Sequence, residues 1–336
     1  MKTYEPILTP DKPILQTESL SKKFGSFAAV KGVDLEVRPG QIVGLLGPNG
    51  AGKSTTIKML STLLKPSSGS ACIAGYDIVK HPYKIRQHIG IIFQDSTLDS
   101  RLTGRENLEF HCMVYKVPRS ERKLRIQRML EMVDLMEAAD RPVKNYSGGM
   151  RRRLEIARGL LHHPSILFLD EPTVGLDPQT RATIWTYVVR LVKEYGMGVL
   201  MTTHYMEEAE HCHLISIMDQ GRIVAKGSPV ELKSCMEGDR IQLATADDAQ
   251  ARDWLQSEWH LTPATGSEGL EFTLPEGETR LAQLLTSLPV EVRRLSVRQP
   301  TLEDVFLKLT GKAIRDEESG MHERLKYSAQ RKGKLK

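Results

Sequence analysis

Nine residues, Gly47-Pro48-Asn49-Gly50-Ala51-Gly52-Lys53-Ser54-Thr55, constrain what this chain can fold into more than any other stretch. An apolar run, residues 41–46, precedes them and reads as a buried strand. Residues 56–64 follow, with Ile57, Leu60, Leu63 and Leu64 at helical spacing. Strand, glycine-rich loop and helix in that order make the setting of a phosphate-binding loop. The three glycines let the backbone wrap until its N–H groups face an anion, and the helix N-terminus adds positive partial charge. On this reading Lys53 reaches the β- and γ-phosphates of a nucleoside triphosphate, and the Ser54 hydroxyl takes a position on Mg2+.

Parallel sheets hold ligands at the carboxyl ends of their strands, so polar residues that close other apolar runs matter next. Residues 88–94 end in Gln94, residues 164–169 enter Asp170 and Glu171, and residues 198–203 enter His204. Taken alone, Gln94 is a strand end meeting water and His204 a structural hydrogen-bonder. Asp170 would lie beside the phosphate loop and take Mg2+, and Glu171 could polarise an attacking water. Gly175-Leu176-Asp177-Pro178 then precedes a helix over residues 179–194. A second glycine turn, Tyr146-Ser147-Gly148-Gly149-Met150, opens a helix over residues 151–161 with Leu154, Ile156, Ala157, Leu160 and Leu161 inward. Ser147 suits the N-cap, and the paired glycines make another anion-accepting turn. One chain thus carries two phosphate-type loops but one strand–loop–lysine unit. Either it binds two nucleotides, or the second loop serves a nucleotide held elsewhere.

The remaining segments set the domain plan. Residues 1–13, with three prolines, read as an extension. Residues 14–20 and 32–37 read as strands, with Lys22-Lys23-Phe24-Gly25 between them; Phe24 alone would mean only packing. Residues 103–145 carry helical periodicity and read as an all-helical insert over about residues 97–145, bounded by the Asp140-Arg141-Pro142 break. Residues 214–218 and 222–224 read as a hairpin. The texture changes near residue 236, and the order βαββαβ to residue 312 is the split βαβ of ferredoxin-like domains, with a last helix capped by Thr301.

Composition excludes several classes. A chain of 336 residues is long enough for two domains. No run approaches the roughly 18 apolar residues of a membrane span, and there is no secretory h-region. Cys72, Cys112, Cys212 and Cys235 are scattered and read as reduced thiols of a cytosolic protein. His211-Cys212-His213, without a second ligand cluster, reads as a polar patch and not a metal site. The net charge of +5 is modest, and its basic excess gathers in residues 313–336, a tail expected to be disordered and solvated.

Together these segments make residues 14–235 closely resemble the ATP-binding subunit of an ABC transporter. Residues 47–55 match its Walker A loop, Gln94 the Q-loop, and Ser147, Gly148 and Gly149 the signature. Residues 166–171 match Walker B, with Glu171 as the catalytic glutamate; residues 175–177, ending in Asp177, match the D-loop and His204 the switch histidine. Phe24 falls where the family's adenine-stacking aromatic lies. Residues 299–311 are similar to the end of drug-exporter ATPases of the daunorubicin-resistance type, which work with separate ABC-2 permeases. The implied fold class is α/β: a P-loop NTPase of ABC type over residues 14–235 with a helical insert, plus a small α+β ferredoxin-like domain over residues 236–312.

The resemblance also implies a homodimer packed head to tail, in which Ser147, Gly148 and Gly149 of one chain complete the ATP site of Lys53 in the other. Ser54, Gln94 and Asp170 would hold Mg2+, Glu171 would act on water, and His204 would meet the γ-phosphate. Gly47, Pro48, Asn49, Gly50, Ala51, Gly52, Thr55 and Asp177 join the nucleotide-binding set. The implied place is the cytoplasmic face of the membrane, beside an integral permease, with no specific nucleic acid. Two departures stand out: Tyr146 and Met150 replace the family's usual leucine and glutamine, and Phe24 replaces tyrosine. The rival reading is a soluble ATPase of the same superfamily acting on ribosomes or nucleic acid. The single Walker A and the short stretch between Ser54 and Ile166 oppose it, and only the basic tail favours it. A P-loop kinase is opposed by the second phosphate loop. A GTPase is opposed by the lack of an Asn-Lys-x-Asp segment.

Overall fold

The computed structural model describes residues 12–236, 238–266, 269–275 and 277–311. The basic tail, and the proposed extension up to residue 11, lie outside the described residues. Contacts divide the chain into two units, the second beginning at Gly227.

The first unit opens with β1 (Leu15–Phe24) and β2 (Phe27–Val33), an antiparallel hairpin closed by the pair Phe24–Phe27. Gly25, at φ 58°, supplies the left-handed turn residue. β1 runs on through Lys22, Lys23 and Phe24, where the sequence suggested a connection. That end is largely exposed and so lacks the alternation that would reveal it. The strand expected over residues 32–37 is split: Gly32 and Val33 end β2, with Val33 paired to Leu20, and β3 (Glu36–Val37) pairs with the start of β1 after a break at residues 34 and 35.

β4 (Ile42–Leu46) is buried throughout and leads through the glycine loop into α1 (Lys53–Leu60). This helix stops short of the expected residue 64. Thr62 turns left-handed at φ 62°, and Leu63 leaves the apolar face to stand 60% exposed. β5 (Ser68–Ile73) and β6 (Tyr76–Asp77) complete the first sheet, in the order β2-β1-β5-β6 with β3 also on β1. Next, α2 (Pro82–His88) takes His88, which the sequence placed in a strand, and β7 (Ile89–Ile92) starts one residue later.

The helical insert holds α3 (Gly104–Val114) and α4 (Arg119–Met132). Thr103 and Glu106 form a reciprocal capping box at the start of α3. After it come α5 (Gly148–Leu160), β8 (Ile166–Asp170), α6 (Pro178–Tyr195), β9 (Gly198–Thr203), α7 (Met206–Ala209), β10 (Leu214–Asp219) and β11 (Arg222–Gly227). Six of the strands form one sheet in the order β11-β10-β4-β9-β8-β7. Its pairs β10–β4, β4–β9, β9–β8 and β8–β7 are parallel. Both faces of such a sheet are covered, which explains why β4, β8 and β9 are buried at every position. Each fully buried Ile, Leu or Phe of these strands contributes about 1.5–3 kcal/mol by leaving water.

The second unit contains α8 (Pro229–Ser234), β12 (Asp239–Thr245), α9 (Asp248–Trp259), β13 (Ala264–Gly266), β14 (Gly269–Leu274), α10 (Gly277–Ser287), β15 (Val292–Arg298) and α11 (Leu302–Thr310). Its sheet runs β13-β14-β12-β15, antiparallel at every pair. From β12 to β15 the order is βαββαβ, and the two outer strands flank a central pair taken from opposite halves of the repeat, the ferredoxin-like arrangement. Ile241, Leu243, Leu255, Leu270, Phe272 and Leu284 form its own core. Thr301 caps α11 in a reciprocal box with Asp304. The unit starts at Gly227, so α8, assigned to the first domain by a boundary at residue 235, belongs to the second.

Candidate active site

The parallel register brings the candidate side chains to one edge. Leu46 lies beside Thr203, Asp170 beside Thr202, and Ile92 beside Leu169. The next residues along these strands are therefore Gly47, His204, Glu171 and Phe93, with Gln94 after it. All leave the sheet at its carboxyl edge, where a doubly covered parallel sheet opens.

The glycine loop is shaped by close approach as much as by φ. A Cβ at Gly47 would strike the Met218 carbonyl oxygen, and one at Gly52, where φ is 109°, would lie 2.6 Å from the Ala29 carbonyl oxygen. Gly50 also has positive φ, at 80°. These positions need glycine, and the turn they form ends at the N-terminus of α1, an anion-accepting arrangement. Inside it the Lys53 ammonium is buried and donates to the carbonyl oxygens of Gly47 at 2.7 Å and Pro48 at 3.1 Å. Ala51 is buried, whereas Asn49 and Gly50 are exposed.

Around that ammonium the acids are arranged in a connected set. Ser54 Oγ donates to Asp170 Oδ1 at 3.0 Å, and Thr202 Oγ1 donates to the same oxygen at 2.6 Å. Glu171 Oε1 lies 3.7 Å from Lys53 Nζ and 3.3 Å from His204 Nδ1, so the tautomer with its hydrogen on Nδ1 donates to the carboxylate. That hydrogen bond first, with the neighbouring Lys53 ammonium, holds the Glu171 carboxyl below its usual range against the opposing effect of burial. Glu171 itself is strained, with φ 48° in the left-handed region. Its N–H is held by Thr202 twice, through the carbonyl oxygen at 3.2 Å and Oγ1 at 3.1 Å.

An acid held ionised next to a buried cation and a histidine can orient and polarise a water. The buried ammonium and the loop N–H groups can neutralise phosphate charge. The oxygen set of Ser54 and Asp170 suits a hard cation such as Mg2+. A triphosphate-splitting site is what this geometry can do.

Other expected residues stand apart from this set. Gln94 is exposed just beyond β7. Phe24 is 49% exposed at the hairpin end, with the Lys22 ammonium 5.3 Å from its ring centre. Ser147 and Gly148 are exposed. The Ser147 hydroxyl accepts from Met150 N at 3.2 Å as the N-cap of α5. Asp177 caps α6, accepting from Thr180 N at 2.9 Å and from Thr180 Oγ1 at 2.6 Å. The Tyr146 departure has a packing reason: its ring is buried and its hydroxyl donates to Ala138 O at 2.6 Å, tying the second glycine turn to the insert. His211-Cys212-His213 is structural: the His211 ring packs on Trp185, Cys212 is buried, and His213 Nδ1 accepts from Ile42 N at 3.0 Å.

Sequence reasoning missed Thr202, which joins Asp170 to the Glu171 backbone; its signal was a threonine at the end of a strand whose register was not yet known. It also missed Glu208, a buried carboxylate that accepts from the hydroxyls of Thr173 and Thr203. Burial pushes its pKa up.

Comparison with known proteins gives the family. Residues 30–174 match the ABC transporter family, and residues 227–310 match the C-terminal domain of the DrrA1-3-like ATP-binding proteins. The chain is 40% identical over 314 residues to the daunorubicin resistance ATP-binding protein DrrA2 of Streptomyces coeruleorubidus, covering 88% of this chain and 95% of that one. It is 41% identical over 313 residues to the linearmycin resistance ATP-binding protein LnrL of Bacillus subtilis, covering 90% and 100%. The Nod factor export ATP-binding protein I of Ralstonia nicotianae is 38% identical over 308 residues, covering 90% and 96%. Among solved structures, cbiO1 from Clostridium perfringens, part of the ABC transporter complex cbiONQ, matches with a TM-score of 0.63 at 29% identity, covering 74% and 97%. A dimeric ATP-binding cassette in a post-hydrolysis state, bound to ADP and Pi, matches with a TM-score of 0.58 at 30% identity, covering 64% and 98%. This chain therefore belongs to the ABC transporter ATP-binding proteins, the ATPases that drive transport, in the group that carries a DrrA1-3-like C-terminal domain.

Proposed function

We propose that two copies of this chain clasp ATP between them and that its hydrolysis drives export of a drug-like or lipid-like cargo through a separate ABC-2 permease. The reading of cargo and direction draws support from relatives named for daunorubicin resistance, linearmycin resistance and Nod factor export. The reading of the site is carried by one observation: Lys53, Ser54, Asp170, Glu171 and His204 form a connected, mostly buried set, while the Ser147 turn faces outward.

In this proposal the phosphates lie in the turn of residues 47–55, and Lys53 exchanges its loop carbonyls for phosphate oxygens. Phe24 offers its ring to the adenine. Ser147, Gly148 and Gly149 of one chain close the other chain's site, with Asp177 beside them. Glu171 orients the attacking water in line with the γ-phosphate, and His204, bonded to Glu171, steadies that carboxylate and meets the phosphate. Ser54, Asp170 and Gln94 would hold Mg2+, whose charge, when bound, offsets that of the phosphate oxygens. Most of the catalysis is positioning and charge stabilisation.

Among the described residues no helix is long and apolar enough to cross a membrane. The proposed place, drawn from the family, is peripheral, on the cytoplasmic face of the membrane against the permease. Purification of the tagged chain from detergent-dissolved membranes tests the proposal. An integral protein that co-purifies and changes the ATPase rate is expected; ribosomes or nucleic acid as the sole companions would contradict it.

A further inference from the structure

The helix that follows the second glycine turn carries three buried charges, Arg152, Glu155 and Arg158, to which the proposed hydrolysis assigns no part. Arg152 is 6% exposed and Glu155 is 2% exposed. The guanidinium of Arg152 makes four directed contacts. Nε donates to Pro172 O at 2.5 Å, Nη2 to Glu171 O at 3.3 Å, and Nη1 to Phe93 O at 2.5 Å and to Glu155 Oε2 at 2.9 Å. The other Glu155 oxygen accepts from Thr97 N at 3.1 Å. Further along α5, Arg158 donates to Ile91 O at 3.3 Å and to the Thr97 hydroxyl.

Two consequences follow from this list. Phe93 and Thr97, which bracket the exposed Gln94, are both tied to α5. The same guanidinium also grips the carbonyl side of Glu171, whose strained backbone is held on its N–H side by Thr202. A planar fork with five donors can meet three carbonyls and a carboxylate together; an ammonium cannot.

We propose that Arg152 is a positioning residue for hydrolysis, linking the segment that carries Gln94 to the backbone of Glu171 in the same chain, so that displacement of one reorients the other. The inference rests on the ATPase reading of the site. It makes the face of α5 a transmission element between the Gln94 segment and the water-orienting carboxylate. It also gives a function to a buried ion pair that a simple core would do without.

The test uses the full-length chain as wild type, Arg152→Lys, Gln94→Ala and the double variant. Steady-state ATPase rates are measured with Mg-ATP, ATP affinity by displacement of a fluorescent ATP analogue, and folding by thermal melting. Lysine keeps the charge opposite Glu155 and loses the fork. Arg152→Lys is expected to bind ATP within about threefold of wild type while kcat falls at least tenfold. The double variant is expected to fall no further than the slower single variant, because coupled sites are not additive. An unchanged kcat, a loss of affinity that matches the loss of kcat, or multiplying losses in the double variant would each overturn the proposal. If Arg152→Lys does not fold, Glu155→Gln carries the test, since its amide group faces the guanidinium and loosens it without emptying space. A lower kcat at unchanged affinity supports the link, and an unchanged kcat refutes it. An inactive wild-type chain would refute the ATPase reading and take the proposal with it; an active wild type with indifferent variants refutes the link alone.

Discussion

The turn before α1 and the turn before α5 are alike in composition, each placing glycines and a hydroxyl at the start of a helix, yet they keep different company. The first is packed against Met218 and Ala29 and surrounds a buried ammonium, with Ser54, Asp170, Glu171 and His204 alongside. The second is open: Ser147 and Gly148 are exposed, and the Ser147 hydroxyl serves its own helix as a cap. One turn is packed among charged and polar side chains, and the other stands exposed at the start of its helix. The difference is what the proposed head-to-tail pair of identical chains would need, with one turn holding the nucleotide and the other closing it from outside.

The sharpest way to break that comparison is to damage each half in a different chain. Lys53→Ala removes the buried cation. Gly148→Asp places a carboxylate where a phosphate would lie, and the position tolerates it: an added Cβ would meet only Leu176 Cδ2, at 3.5 Å. An acid in the first turn of α5 also favours the helix. Each variant alone is expected to lose ATPase activity by about 100-fold or more. Mixed in equal amounts they should regain activity, because a mixed pair contains one intact Lys53 turn facing one intact Ser147 turn. No recovery on mixing would mean that the two turns act within one chain.

A smaller effect is expected at Thr202. Thr202→Val keeps the shape but removes a hydroxyl that donates to Asp170 and accepts from Glu171 N. Loss of a buried hydrogen-bond partner costs about 1–3 kcal/mol. In a domain of this size that lowers the melting temperature by roughly 2–4 °C per kcal/mol. The ATPase rate should fall with it, whereas the equivalent change at Thr183, whose hydroxyl donates to Gln179 O on an exposed part of α6, should leave the rate nearer to wild type. Equal losses at both positions would remove the special part given to Thr202 in the buried set.

Legibility in the sequence followed burial. The strands β4, β8 and β9 and the helices α5 and α6 were readable because core-facing residues impose periodicity. The polar residues at the ends of those strands were readable because parallel sheets open there. Where the chain is exposed, the signal failed: β1 continues through Lys22 and Lys23 without alternation, and α1 ends early at a left-handed Thr62 that nothing in the composition announces. The site's supports failed for another reason. Thr202, Arg152 and Glu155 act through register and tertiary contact, and a threonine in a strand or a charge pair on a helix looks the same whether it faces solvent or a strained backbone.

The subtlest difference between the halves is electrostatic. Folding lowers the Glu171 pKa from its ordinary value of 4.5, chiefly through the hydrogen bond with His204. Its ionised form therefore adds stability that is present above the ordinary value and lost as pH falls through the lower folded one. The gap in melting temperature between wild type and Glu171→Gln should stay level from about pH 8 to pH 5 and close as the medium becomes more acidic. A gap that widened in acid would reverse the assignment.

The account stands most directly on the mass of the Glu171→Gln chain in solution, read by light scattering with and without Mg-ATP. The expected result is a monomer without nucleotide and a stable dimer with it, with ATP retained and turnover abolished. A chain that binds ATP yet stays monomeric, or that turns ATP over at the wild-type rate, would contradict the paired site and the part given to Glu171 within it.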